Sequence, residues 1–286
     1  IPPMVAPMQI PDLTDRTALT RNRARAMAGA TPALFLQEDM IAEVQERLIE
    51  VNRTFTAIAV VTGFPDLWRK AMPGAHIVAD ADILALEPGA HDLVIHALCL
   101  HWAQDPVGQL IQCRRALRPD GLFLAALFGG QTLHELRAAL AEAEAAVTGG
   151  LSPRVLPMAE IRDLGGLLQR AGFALPVADG ATRQVLYRDA LHLMHDLRAM
   201  GEANALAARR RLPLRRAVLT EAANRYAAAF GTDEGRVCAT FETIFLTGWA
   251  PDDSQQKPLR PGSARTRLAD ALNVPETTLP ATKGET

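Results

Sequence analysis

Three short apolar runs each end in residues able to do chemistry. His96 and His101 flank the end of the run Asp92 to Leu98, and Trp102 follows at once. Asp80 and Asp82 close and follow HIVAD (76–80), and Gly63 closes FTAIAVVTG (55–63). Imidazoles move protons near neutral pH. Carboxylates accept charge-assisted hydrogen bonds, and a glycine lets backbone approach a ligand closely. Two further clusters carry a plainer reading beside a functional one. His192 and His195, with Asp196, present two imidazoles on one helix face, but no third metal ligand stands at a recognisable spacing, so an exposed helix face is the simpler account. Arg209, Arg210 and Arg211, with Arg215 and Arg216, make either a solvated face or a dock for an acidic partner. Capping and packing is likewise the simpler account of His96 and His101, with Trp102 lining a cleft and Asp105 capping a helix. There is no nucleophile elbow with a Ser-His-Asp order, no phosphate-binding glycine loop followed by Lys-Ser/Thr, and no HExxH.

The elements that must position these residues follow from the apolar pattern. Asp92 to Leu98 is too short for a helix and apolar enough for a buried strand. Asp105 then serves as N-cap with Pro106 at the first helical position. Val107, Leu110, Ile111, Ala116 and Leu117 recur at helical spacing, Pro119-Asp120-Gly121 turns, and Leu122 to Phe128 is a second apolar strand. Strand, helix, strand with apolar strands is a parallel crossover buried on both faces. The expected class is therefore α/β, and open sheets of this kind bind ligands at the C-terminal ends of their strands. Helices are expected over Asp15 to Ala28, Pro32 to Val51, Pro65 to Met72, Thr132 to Val147 and Met158 to Ala171. Strands are expected at His76 to Asp80, Phe173 to Val177 and Arg183 to Tyr187. Three helical stretches, Ala190 to Met200, Ala203 to Arg211 and Pro213 to Phe230, then interrupt the alternation before a last strand, Arg236 to Trp249, that closes the sheet edge. The resulting division is 1–52 for an arm and lid helices, 53–188 for the core, 189–230 for a helical insertion, 231–250 for the last strand and 251–286 for a proline-rich tail. Within that tail Thr266 to Leu272 reads as a short helix and Pro275 to Thr286 as disordered, as Ile1 to Pro11 reads as a loose arm.

Composition bounds the function. At 286 residues the chain can bury a sizeable core. A net charge of -2 gives no basic surface for nucleic acid. Cys99, Cys113 and Cys238 are odd in number and lack CxxC spacing, which points to free thiols in a reducing compartment, read here as the cytoplasm. No apolar run approaches the ~20 residues of a membrane span.

The segment from Asp92 to Gly130 resembles the fourth strand, its helix and the fifth strand of the class I S-adenosylmethionine (SAM) methyltransferases. LHWAQDP, FGGQTLHELR, GGLSPRVLPMAEIRDLG, MGEANAL, ATFETIFLTGW and SQQKPLRPGSA are similar to the branch that contains the bacterial relatives of the mitochondrial complex I assembly factor and the malonyl-acyl-carrier-protein methyltransferases of biotin synthesis. The resemblance runs from about Asp12 to Ala264. It implies a Rossmann-like sheet, mostly parallel with an antiparallel last strand, SAM as cofactor, and an N-terminal lid whose Arg16, Arg21, Arg23 and Arg25 face the cleft; a solvated helix face is the plainer reading of those arginines. It also implies cofactor contacts at Gly63, Asp80, Asp82 and His96, and a substrate mouth at His101 and Trp102.

Two features depart from the family pattern. Where the family has D-x-G-x-G-x-G, this chain aligns Ala57, Ala59, Val61 and Gly63, so that Cβ atoms at Ala59 and Val61 are expected to crowd the ligand. Only 28 residues (64–91) separate Gly63 from Asp92, whereas three helices and two strands need about 50. One strand is thus expected to be missing. Spacing leaves HIVAD open as the family's second or third strand; the DADILALEPG pattern that follows looks more like the third, which would place Asp80 and Asp82 near an adenine site and delete the ribose-binding carboxylate. The expected function is a methyltransferase-family protein with an eroded cofactor loop, weak or inactive in methyl transfer. The alternatives are a binding or assembly factor for respiratory complex I or a related arginine hydroxylase, with a complex I subunit or an acyl carrier protein as partner.

Overall fold

In the computed structural model the described residues are 11–256 and Asp270. The expected arm over residues 1–10, the helix Thr266 to Leu272 and the disordered Pro275 to Thr286 lie outside them. Residues 11–252 make one compact unit, and Asp253–Thr286 a second of which little is described.

Six strands form one sheet: β1 (Ile58–Thr62), β2 (His76–Ala79), β3 (His91–Ala97), β4 (Leu117–Phe128), β5 (Ala174–Tyr187) and β6 (Val237–Trp249), in the order β2-β1-β3-β4-β6-β5. The first four run parallel, and β6 is antiparallel to both its neighbours. The mixed α/β fold and the antiparallel last strand are as the sequence implied. So is the shortening, because β2 is the one strand between Gly63 and Asp92.

Four details differ. The last strand does not close the edge: β6 is bonded on both sides, and β5 forms the edge. The two strands expected at 173–177 and 183–187 are one, broken by a register shift between Ala174 and Val177 that absorbs Pro176, a residue an edge strand tolerates at such an irregularity. The Pro119-Asp120-Gly121 turn is a bulge inside β4, with Asp120 at φ 57. Residues 203–211 are not helical. Leu206 pairs instead with Thr14, and the Asn204 carboxamide caps the Leu206 amide (3.0 Å), a local bond that competes with helix.

The helices are α1 (Arg16–Met27), α2 (Phe35–Val51), α3 (Pro65–Ala71), α4 (Pro106–Ala116), α5 (His134–Thr148), α6 (Ile161–Arg170), α7 (Ala190–Ala199) and α8 (Arg216–Phe230). Period-two alternation sends successive strand residues to opposite faces. Val60, Leu93, Ile95, Leu122 and Leu124 pack in one core with residues of α2, α3, α5, α7 and α8. Ala59, Val61, Val94, Phe123 and Ala125 pack in the other with residues of α4 and α6. Among the described residues no helix is long and apolar enough to cross a membrane, and the three cysteines are free.

Candidate functional site

The C-terminal ends of β1 to β4 share one rim, and its two halves are built differently. In the first half β1 runs through Thr62, in register with β2 as far as Ala79, so the loop after the strand begins only at Gly63. Asp80 therefore stands at the end of the strand beside β1. Arg23, from α1, reaches across: its Nη1 lies 2.6 Å from Asp80 Oδ2, and Arg16 Nη2 lies 3.5 Å from Oδ1. The guanidinium rests on the Gly63 backbone so closely that a Cβ there would collide with Arg23 Nη1. It also sits 5.8 Å from the centroid of the Phe64 ring, in cation-π range. Burial opposes the Arg23 charge, but the carboxylates of Asp80 and Glu202 outweigh it and raise the pKa.

The helix that carries Arg23 is stitched down by its flanks. Thr14 Oγ1 donates to the Trp102 carbonyl (2.9 Å), Asn22 Nδ2 to the Ala203 carbonyl (3.0 Å), and Arg209 pairs with Asp15 (2.8 Å). Gly201, at φ +80, brings its Cα so near that a Cβ would meet Arg23 Cα at 3.0 Å. A ligand laid along Gly63 and bonded to Asp80 would have to displace Arg23.

His96 is wholly buried in β3 rather than facing the rim. Its Nε2 bonds Gln109 Oε1 (2.8 Å), and Gln109 Nε2 donates to the Ala81 carbonyl (2.9 Å). Since the carboxamide oxygen can only accept, Nε2 carries the proton, and Nδ1 is left facing Cys99 Sγ at 3.5 Å. Burial, partly offset by that hydrogen bond, lowers its pKa to about 4, and burial pushes the Cys99 thiol up. His96 is thus a neutral strut between β3, α4 and the chain after β2. Asp82 is exposed and lies with Arg16, Arg21 and Arg209 in a polar groove of about 830 Å³.

In the second half, Leu100–Trp102 forms one 3-10 turn after β3, and Asp105 caps α4 through the Gly108 amide (2.8 Å). His101 and Trp102 converge on one carboxylate that the sequence reading did not single out: Trp102 Nε1 donates to Glu202 Oε2 (2.7 Å), and His101 Nε2 lies 3.5 Å from the same oxygen. Burial alone would raise the Glu202 pKa, but His101, Arg23 and Trp102 hold it below the ordinary carboxylate range. Trp102 and Glu202 border a cavity of about 220 Å³ walled by Phe128, Leu136, Leu140, Leu156, Met158, Met194, Met200 and Phe241. The signal for Glu202 was present in MGEANAL, where Met200 and Gly201 end α7 and deliver the next side chain to the rim.

The expected sites are therefore divided. Gly63 and Asp80 meet at the first half, His101 and Trp102 at the second, His96 lies beneath the sheet surface, and Asp82 stands outside. Ala59 and Val61 do not crowd a ligand, because both are strand residues with side chains in the α4/α6 core; the crowding comes from Arg23. His192 and His195 are exposed on α7, and the described residues contain no group of three metal-ligating side chains placed to hold an ion.

The family model of a methyltransferase domain matches residues 40–125. The chain is 41% identical over 288 residues to the mitochondrial protein of Danio rerio named arginine-hydroxylase NDUFAF5, covering 91% of this chain and 89% of that one. The chain belongs to the class I methyltransferase family, in its NDUFAF5 branch. The Rattus norvegicus protein of the same name is 38% identical over 72% of this chain, and the match spans 60% of its length. A malonyl-acyl-carrier-protein O-methyltransferase of Halorhodospira halophila is 35% identical over 66% of this chain and 62% of its own.

Within the methyltransferase frame the position of β2 changes one reading. Paired directly to β1, it takes the place of the second strand, so the missing strand is the outer third one. Asp80 then stands where dinucleotide-binding folds put the acid that bonds a ribose hydroxyl. Of the two readings the sequence left open, this pairing favours the second strand, with Asp80 at its end and held by Arg23. For SAM the fit fails in this arrangement: the one glycine of the loop is covered by a guanidinium, and the acid is already paired.

Proposed function

We propose that this protein is a side-chain-directed factor of the NDUFAF5 type that acts on or holds a partner protein and does not use SAM as a tightly bound methyl donor. The single observation that carries this reading is Arg23 lying on Gly63 and bonded to Asp80. A bound SAM would have to break that ion pair, lift the flanking stitches of α1, and then find a single glycine where its loop ordinarily has three. The relatives named arginine-hydroxylase supply the direction of the reading, an action on a protein side chain. Cytoplasmic residence and a complex I subunit as partner belong to the same proposal, the first motivated by three free thiols and the second by the branch.

Calorimetric titration of the whole chain with SAM and with S-adenosylhomocysteine tests it. The expected dissociation constant is no better than about 1 mM, roughly -4 kcal/mol. Micromolar binding of either would refute the proposal and favour a SAM-dependent methyl transfer like that of the malonyl-acyl-carrier-protein enzymes.

A further inference from the structure

The edge strand β5 is 14 residues long, and among the described residues it pairs with β6 alone. Edge strands are ordinarily blunted by shortness, lysine, proline or a bulge, because their free backbone groups invite another strand. In β5 the one proline, Pro176, and the one register shift lie near its start, and from Val177 to Tyr187 the strand runs without either and without lysine. Residues 180–184 are all exposed, as are Val177 and Leu186.

The direction of the free groups follows from β6. The Gly129 and Leu133 amides donate to the Glu242 and Thr240 carbonyls (2.9 and 2.8 Å), and Gly129 follows directly on β4, so Glu242 and Thr240 turn their backbone groups away from β5. Phe241 and Thr243 therefore turn theirs towards it, onto their register partners Arg183 and Ala181. Gly180, Thr182 and Gln184 are left with N–H and C=O groups directed outward.

We propose that this edge docks against β5 of a second copy of this chain, antiparallel about a two-fold axis at Ala181, so that one sheet runs through both copies. In that register Gly180 exchanges backbone hydrogen bonds with Thr182 of the second copy, and Ala178 with Gln184. The residues between them form the non-hydrogen-bonded pairs, whose Cα atoms approach to about 4.5 Å and whose side chains lie closest. At the axis that pair is alanine on alanine, which is small enough for the approach. Asp179 falls opposite Arg183 of the second copy, twice by symmetry, and Val177 opposite Val185.

Neighbouring registers lack this complementarity. An axis at Asp179 or at Arg183 sets like charges opposite each other, and one at Gly180 or Thr182 sets both charges against alanine and valine. An axis between residues opposes outward groups to inward ones and leaves the ladder unbonded. The ion pairs already present allow the contact. Arg47 Nη1 holds Asp179 at 2.9 Å and Asp39 holds Arg183 at 2.9 Å, yet the Asp179 and Arg183 side chains remain 42% and 54% exposed, so each can take a second partner in a network of alternating sign. Pro176, opposite Leu186 of the second copy, has no N–H and ends the ladder. Because the copies run antiparallel, their ligand-binding rims open at opposite ends of the joined sheet, and neither covers the other.

Sedimentation equilibrium of the full chain tests the proposal. The wild type should form a dimer with a dissociation constant of about 10 µM or tighter. Asp179→Arg and Arg183→Asp each set like charges opposite one another at both symmetry-related pairs, and each should weaken self-association about tenfold or more. Mixed in equal amounts, the two variants supply the charges that the other lacks, and the mixed dimer should recover to within about threefold of the wild type. Thr182→Pro removes an outward N–H and no bond to β6, so it should also weaken the dimer about tenfold with an unchanged circular dichroism spectrum; it keeps the test intact if the charge variants fold poorly. A wild type that stays monomeric up to ~100 µM would overturn the proposal and leave the edge to residues 257–286 or to a different protein. A dimer indifferent to all three substitutions, or a mixture of the charge variants that fails to associate, would overturn it as well.

Discussion

The two halves of the strand-end rim meet the same topological situation with opposite chemistry. At the ends of β1 and β2, Arg23 and Arg16 pair with Asp80 and close the space with charge. At the ends of β3 and β4 the lining is apolar, and about 220 Å³ remains open. The difference teaches what seals a cleft. A guanidinium has a planar fork of donors that can lie on backbone, stack on a ring and bond a carboxylate at once, so a single arginine from a neighbouring helix can fill a ligand's place. Leucine and methionine walls have no such directed demand, and a void between them persists where no side chain is long enough to cross it.

Breaking the sealed half should produce the largest effect. Asp80→Asn leaves two arginines without their carboxylate, one of them buried, and should cost about 3–5 kcal/mol in urea unfolding. A loss under ~1 kcal/mol would mean that the ion pair does not seal this end.

Next in size is the strut beneath it. His96 is neutral in the folded chain, because burial lowers its pKa from the ordinary 6.5 to about 4. The unfolded chain therefore binds more protons between those two values, so stability should fall as pH drops from 6.5 towards 4, by about 3 kcal/mol for this one group. His96→Asn should flatten that part of the stability-pH curve relative to the wild type. An unchanged slope would contradict the neutral, buried assignment.

A smaller effect is expected in the open half. Leu140→Ala should cost about 2 kcal/mol, at the low end for a buried leucine, because its cavity side already lacks partner atoms. Thermal or urea unfolding checks this, and a cost near 5 kcal/mol would show that the wall is packed where we describe a void. Smallest of all, Arg198→Ala at the exposed border should stay within about 0.5 kcal/mol; a larger loss would make Arg198 part of the wall's structure.

How far sequence reasoning reached follows the range of the forces involved. Local signals held: Asp105-Pro106 opens α4, Gly149 ends α5 at φ 72, and 28 residues between Gly63 and Asp92 leave room for one strand. Signals that depend on distant partners did not. The arginines of DRTALTRNRARAMA read equally as a solvated face or a lid, because nothing in that stretch reveals that Asp80, 57 residues on, waits for Arg23. Ala59 and Val61 looked like ligand-contacting positions until pairing with β2 and β3 showed the strand continuing past them. Residues 203–211 have helical composition, and their pairing with Thr14 is a tertiary override of it. Glu202 stands within MGEANAL, yet its role is not legible there for a related reason: a lone glutamate gains meaning only once Trp102, 100 residues away, points its indole at it.

The account turns on whether Arg23 holds the cofactor end of the rim shut in the presence of the family's nucleoside. A crystal structure of the wild-type chain grown with S-adenosylhomocysteine at ~0.2 mM, below the ~1 mM limit expected for its dissociation constant, addresses that directly. The account predicts Arg23 still on Asp80, with Gly63 covered and no nucleoside density. A ribose bonded to Asp80, with Arg23 swung away from Gly63, would contradict it.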